Sequence, residues 1–248
     1  MRCSAIALIL MVAFCGGSAM AQTATIKPRD PNRWEQSIRD FERSDRTNPP
    51  PKNAVLFVGS SSIRIWNTLS QDFPEYKVIN RGFGGSEIED SVKYANRIVL
   101  PYRPKAIVFY AGDNDLHAGK APQELFQHFK LFAFKVHEVL PKTKIIVISV
   151  KPSPAYWHSV EKVMKTNALI EDYCDKDERL VFVNVFPKML GADGRPKPEL
   201  YKKDGVHLSS EGYQLWTSMV RPHLERVEFF PRRPSSERGT MSFGREVR

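Results

Sequence analysis

Five short apolar runs rich in β-branched residues recur along the chain, at residues 54–58, 77–80, 106–110, 144–150 and 180–185. Near-continuous apolar strands of this kind belong to a sheet covered on both faces, which in practice means a parallel sheet with helices packed above and below it. Helical patterns separate most of the runs. Over residues 86–99, Ile88, Val92, Ala95 and Val99 recur at helical spacing. A second helix over 122–140 opens on Pro122, a favoured residue in a first turn. The others cover 157–175 and 209–227, the last with Ser209 or Ser210 as N-cap. This alternation predicts a right-handed, doubly wound α/β fold: a three-layer αβα sandwich on a five-stranded parallel sheet. By analogy, the expected strand order is 2-1-3-4-5. Ahead of the sheet, Trp34, Ile38 and Phe41 mark an amphipathic helix over 32–43, ended by Pro49-Pro50-Pro51.

At 248 residues and 42% hydrophobic, the chain suits one domain with a full core once a leader is removed. Residues 1–21 read as a secretory signal peptide. Arg2 is the only early charge, residues 5–14 are apolar, and Ala19-Met20-Ala21 offers a small-x-small site with cleavage after Ala21. Lipid modification at Cys15 ranks second, because the bulky Phe14 precedes it. The apolar run is too short to span a bilayer as a mature helix, and no later segment is long and apolar enough. Residues 22–53 form an N-terminal segment carrying the amphipathic helix, 54–228 the main domain, and 229–248 a flexible basic tail. The expected location is therefore exported, secreted or periplasmic. Cys3 and Cys15 leave with the leader, so Cys174 stands alone in a helical pattern as a packing residue and no internal disulfide is expected. The net charge of +9 suits an acidic partner in principle. The basic residues are scattered, however, part of the excess lies in the tail, and no nucleic-acid motif is present. No nucleic-acid partner is expected.

Three strand runs end in short polar motifs: Gly59-Ser60-Ser61-Ser62, Gly82-Phe83-Gly84-Gly85 and Gly112-Asp113-Asn114-Asp115. A fourth, Asp204-Gly205-Val206-His207, precedes the last helix. A parallel sheet gathers the C-terminal ends of its strands along one edge, where ligands bind, so residues remote in sequence meet there. Ser61 is a nucleophile if a base takes its proton. Glycines let backbone N–H groups approach a ligand, and the side-chain amide of Asn114 is a neutral donor to an oxyanion. Asp204 and His207 are three apart, so a carboxylate can hold the imidazole while the imidazole acts as base toward Ser61. Each motif taken alone also reads as turn or cap chemistry. Asp113 and Asp115 with Asn114 lack the spacing of a calcium loop. Glu87 occupies the third glycine position of a dinucleotide fingerprint. The serine lacks the Gly-x-Ser-x-Gly elbow, since Ile63 fills the last position.

Taken together and in order, these blocks resemble the SGNH hydrolases, also called GDSL esterases. The nearest branch includes the catalytic subunits of intracellular platelet-activating-factor acetylhydrolase. The resemblance runs from about Ala54 to about Leu224 and rests on Phe57-Val58-Gly59-Ser60-Ser61-Ser62, Asn80-Arg81-Gly82-Phe83-Gly84-Gly85, Gly112-Asp113-Asn114 and Asp204-Gly205-Val206-His207-Leu208. It implies a flavodoxin-like fold, Ser61 as nucleophile, His207 as base and Asp204 as its orienting carboxylate. It also implies an oxyanion hole from the Ser61 N–H, the Gly85 N–H and the Asn114 side chain. The chain departs from the pattern at Ser60, where the family carries Asp, and at Ser62, where it carries Leu; this bears on the bracing of the loop, not on the nucleophile.

The expected activity is hydrolysis of a short-chain, acetyl-type ester by a serine esterase, with no metal or organic cofactor. The substrate is a small-molecule or carbohydrate ester. Ser60, Asp113, Asp115, Tyr156 and Trp157 are candidates for the substrate pocket, the last two because residues 151–157 follow the fourth strand toward its rim. The alternatives are an acyltransferase or carbohydrate deacetylase using the same site, or a non-catalytic glycan-binding module.

Overall fold

The computed structural model describes Asp30 and residues 32–227. The leader, Cys15 and the basic tail lie outside the described residues. Five strands, β1 (Val55–Gly59), β2 (Val78–Gly82), β3 (Ala106–Tyr110), β4 (Lys144–Ile148) and β5 (Leu180–Val183), form one sheet in the order β2-β1-β3-β4-β5. Every pairing is parallel, as the apolar runs require. Gly59, the last residue of β1, stands beside Gly82 of β2 and Tyr110 of β3. The register therefore brings the three strand-end motifs to a common edge.

Successive strand side chains point to opposite faces, and the core divides accordingly. Leu56 and Val58 of β1 and Ile107 and Phe109 of β3 pack into one cluster. Val55, Phe57, Val108 and Tyr110 of the same strands pack into the other. Helices α1 (Glu35–Thr47), α4 (Ile88–Ile98), α6 (Pro122–Val139) and α7 (Val160–Cys174) supply the first cluster through residues such as Ile38, Ala95, Phe129 and Val163. The second is covered by α2 (Ser61–Arg64), α3 (Leu69–Asp72) and α8 (Ser210–Glu225), through Ile63, Leu69 and Trp216. A short α5 (Asp113–His117) follows β3 directly. Ser209 is the N-cap of α8, accepting from the Gly212 N–H at 3.2 Å.

Many element boundaries shift from their sequence-based positions, and three of them bear on the site. β4 stops at Ile148, two residues short of the apolar run, because the side-chain amide of Asn167 takes both backbone groups of Val150, at 2.8 and 2.9 Å. The stretch before α7 is a 3₁₀ segment over Pro154–Ser159, so the α-helix begins at Val160. The N-terminal helix starts at Glu35 and continues to Thr47. Its extra turn is held on the body by Asp45, which accepts from the guanidinium of Arg81 and, at 2.6 Å, from the hydroxyl of Tyr102. Nearer its N-terminus, Arg97 bridges Glu35 and Glu42 at 2.8 and 2.7 Å. Cys174 is buried and unpaired.

Candidate active site

Ser61 is the first residue of α2 and follows β1 with only the extended Ser60 between them. The Ser60 N–H continues the sheet pattern by donating to the Tyr110 carbonyl at 2.9 Å, so the hydroxyl that follows is delivered to the sheet edge. The other half of the site is a turn closed by one carboxylate. Asp204 Oδ1 accepts from the Val206 and His207 N–H groups, each at 2.9 Å. Its Oδ2 lies 2.7 Å from His207 Nδ1. In the neutral ring, an Nδ1–H donated to the carboxylate leaves Nε2 as the acceptor, and Nε2 stands 3.1 Å from Ser61 Oγ across 146 positions of chain. Partial burial works to raise the Asp204 pKa, but the imidazole and the two N–H donors outweigh it and hold the carboxyl at about 2.

Asn114 sits in the first turn of α5 and donates one amide hydrogen to the Ser86 carbonyl at 3.0 Å. That fixes the amide plane and leaves its second hydrogen for a ligand. The Ser61 and Gly85 N–H groups donate to no described residue. Gly85 adopts φ +77°, a conformation that side chains rarely take, and a Cβ there would meet the Trp34 ring at 3.3 Å. Ser61, Gly85, Asn114, Asp204 and His207 line one open cavity of about 520 Å³.

Of the five residues expected around the substrate, only Tyr156 lines this cavity, with its ring stacked on His117 at 4.2 Å. Trp157 turns aside, its ring lying 5.2 Å beneath the Arg195 guanidinium. Ser60 and Asp115 are fully buried and Asp113 nearly so. Asp115 receives the Ile88 N–H at 3.2 Å. Burial first, and the nearby Glu87 carboxylate second, push its pKa up to about 8.

Asp113 leads to a feature that the sequence reading missed. Lys151 is fully buried, and its ammonium donates to Asp113 Oδ2 at 2.5 Å and the Tyr110 hydroxyl at 2.9 Å, with Ser62 Oγ at 3.5 Å. Burial works to raise the Asp113 pKa, and the Lys151 charge overrides it, so the carboxyl lies below its usual range. From the other side the Tyr213 hydroxyl donates to the Ser62 carbonyl at 2.9 Å. Ser62 is thus braced on both sides next to Ser61. The available signal was a lysine closing an apolar strand run, since a buried ammonium requires a carboxylate partner. Trp34, Ser37 and Arg64 also line the cavity and were not among the expected residues.

Solved structures share this fold. A GDSL-like lipase from Bacteroides thetaiotaomicron shares 25% identity over 76% of this chain and 97% of its own, with a TM-score of 0.66. A Streptococcus pneumoniae structure named for platelet activating factor matches at 22% identity over 76% of this chain and 92% of its own, TM-score 0.68. A carbohydrate esterase family 3 structure from Talaromyces cellulolyticus matches at 17% identity over 70% and 96%, TM-score 0.59. The likeness to the last two is one of fold. No curated protein sequence matches the chain. A family match over residues 58–215 takes in all four motifs of the cavity, and it places the chain in the GDSL-like lipase/acylhydrolase family as a carboxylic ester hydrolase of that type.

Proposed function

We propose that the protein hydrolyses short acyl esters, acetyl esters foremost, through an acyl-enzyme on Ser61, and that it works outside the cytoplasm. The observation that carries this reading is the unbroken chain from Asp204 through His207 to Ser61, at 2.7 and 3.1 Å. His207 Nε2 takes the proton from Ser61 Oγ as Oγ bonds to the ester carbonyl carbon. The carbonyl oxygen becomes an anion held by the Ser61 and Gly85 N–H groups and the free Asn114 amide hydrogen. Such donors contribute about 3–4 kcal/mol each to lowering a barrier of this type. Collapse of the intermediate breaks the bond to the alcohol oxygen, which receives the proton from His207. Water then attacks the acyl carbonyl, His207 takes its proton, and that proton returns to Ser61 as the acid leaves.

The flat Tyr156 ring on the cavity wall, backed by His117, favours a sugar as the alcohol half, since aromatic faces pack against sugar rings. Export rests on the leader-like residues 1–21, and a mature N-terminus at Gln22 on the purified protein checks it. Among the described residues no helix is long and apolar enough to cross a membrane.

Hydrolysis of p-nitrophenyl esters of rising chain length tests the chemistry. The wild type is expected to favour acetate and butyrate. Ser61→Ala is expected to lose on the order of 10⁴-fold or more in kcat. Equal rates for the two proteins would overturn the assignment. Added sugar acceptors separate hydrolysis from transfer by the product formed.

A further inference from the structure

We infer that Arg64 is an anion-recognition residue of the catalytic cavity, and that the ester turned over there carries a carboxylate or phosphate on its alcohol half. The inference rests on the esterase reading above. Arg64 closes α2 three residues after Ser61, and residues so spaced share one side of a helical turn. Its side chain is exposed and lines the same cavity as Ser61 and His207. The bare backbone of Gly84 makes room for the guanidinium: a Cβ there would come within 2.6 Å of Arg64 Nε and 3.2 Å of its Cζ and Nη2.

The arginines that serve structure have visible partners. Arg97 holds Glu35 and Glu42, Arg179 holds Asp177, and Arg221 holds Glu75. Arg81 pairs with Asp45 and also lies over Phe41 and Tyr102. Arg64 has no ion pair, no side-chain hydrogen bond and no aromatic ring beneath it among the described residues. Among the described residues the single carboxylate on the cavity wall, Asp204, is taken up by the His207 ring and two N–H groups. The cavity thus presents a rigid fork of N–H donors with no counter-ion of its own. That fork matches the two oxygens of a carboxylate or phosphate. A short acyl group such as acetyl carries no charge, so the anion belongs to the alcohol.

Two matched ester pairs test this with wild type, Arg64→Gln and Arg64→Lys. The first pair, 4-acetoxybenzoate and 4-acetoxybenzamide, differs by one charge on the alcohol half. The second, 4-nitrophenyl hydrogen succinate and 4-nitrophenyl methyl succinate, differs by one charge on the acyl half. Wild type is expected to prefer 4-acetoxybenzoate over its amide by about 10-fold or more in kcat/KM, mainly through KM. That ratio should shrink with added salt, fall to near one in Arg64→Gln and be partly kept in Arg64→Lys. A wild-type ratio of one, or equal losses on both members of the pair in Arg64→Gln, overturns the inference and leaves the esterase reading standing. An Arg64-dependent ratio confined to the succinate pair overturns its placement on the alcohol half. Failure to turn over any of the four esters overturns the esterase reading itself, and this inference with it.

Discussion

Asp204 does two things with two oxygens. Oδ1 builds the turn by accepting two N–H groups, and Oδ2 holds the His207 ring. Asp204→Asn keeps an oxygen for the turn but turns an amide toward Nδ1, which favours the wrong imidazole tautomer. We expect kcat to fall about 10³–10⁴-fold while the thermal midpoint barely moves, a split that steady-state kinetics beside calorimetry will show. The Asp204 carboxyl sits at about 2, so it stays charged throughout the neutral range and its contribution fades only as pH falls toward that value. Asp115 behaves in the opposite sense. Its folded-state pKa is raised, to about 8, so folding retains a proton that the unfolded chain releases at acid pH. The stability it contributes is complete below the ordinary carboxylate range and is lost as pH rises toward 8. Asp115→Asn removes this dependence. Thermal unfolding from pH 4 to pH 9 should show the variant gaining on the wild type as pH rises, and a constant difference would contradict it.

The turn that carries Ser61 is an element-scale construction. A four-residue helix has no periodic stretch to hold it and depends on what packs around it. Lys151, at the end of the β4 run, and Tyr213, on α8, both reach Ser62. Lys151→Met leaves the buried Asp113 charge without its partner. Urea unfolding should register a loss of about 3–5 kcal/mol, and a loss below about 1 kcal/mol would show that the pair is not what holds this corner. The sequence exposes elements of this kind poorly. The strand runs were legible because both faces of β1 and β3 are buried, and α4, α6 and α8 because their apolar stripes are long. α2 and α5 are too short for a stripe, and α1 appears as a stripe without showing what it faces. That Ser37 of α1 and the preceding Trp34 form a cavity wall follows from tertiary placement alone, and both lie outside the residues 58–215 matched by the family.

Across the whole molecule, sheet topology decides where the chemistry sits. The order β2-β1-β3-β4-β5 puts β1 between β2 and β3, so the serine, glycine and asparagine motifs arrive side by side. The Asp204–His207 turn then closes on them from the start of α8. The sequence reading named these positions because each follows an apolar run or opens a helix, and the register aligns their ends. Arg64 carries no such signal, since a lone basic residue has no pattern until its neighbours in space are known, and Lys151 shows only as a lysine closing an apolar run. The proposed mechanism requires Ser61 Oγ to take the acyl or phosphonyl group, although two other serines of the same motif flank it. Intact-protein mass spectrometry after reaction with a serine-directed phosphonate, followed by peptide mapping, addresses that directly. One adduct per chain, on Ser61 and absent from Ser61→Ala, is the expected result. An adduct on Ser60 or Ser62, or an unmodified chain from a preparation that still hydrolyses esters, would contradict it.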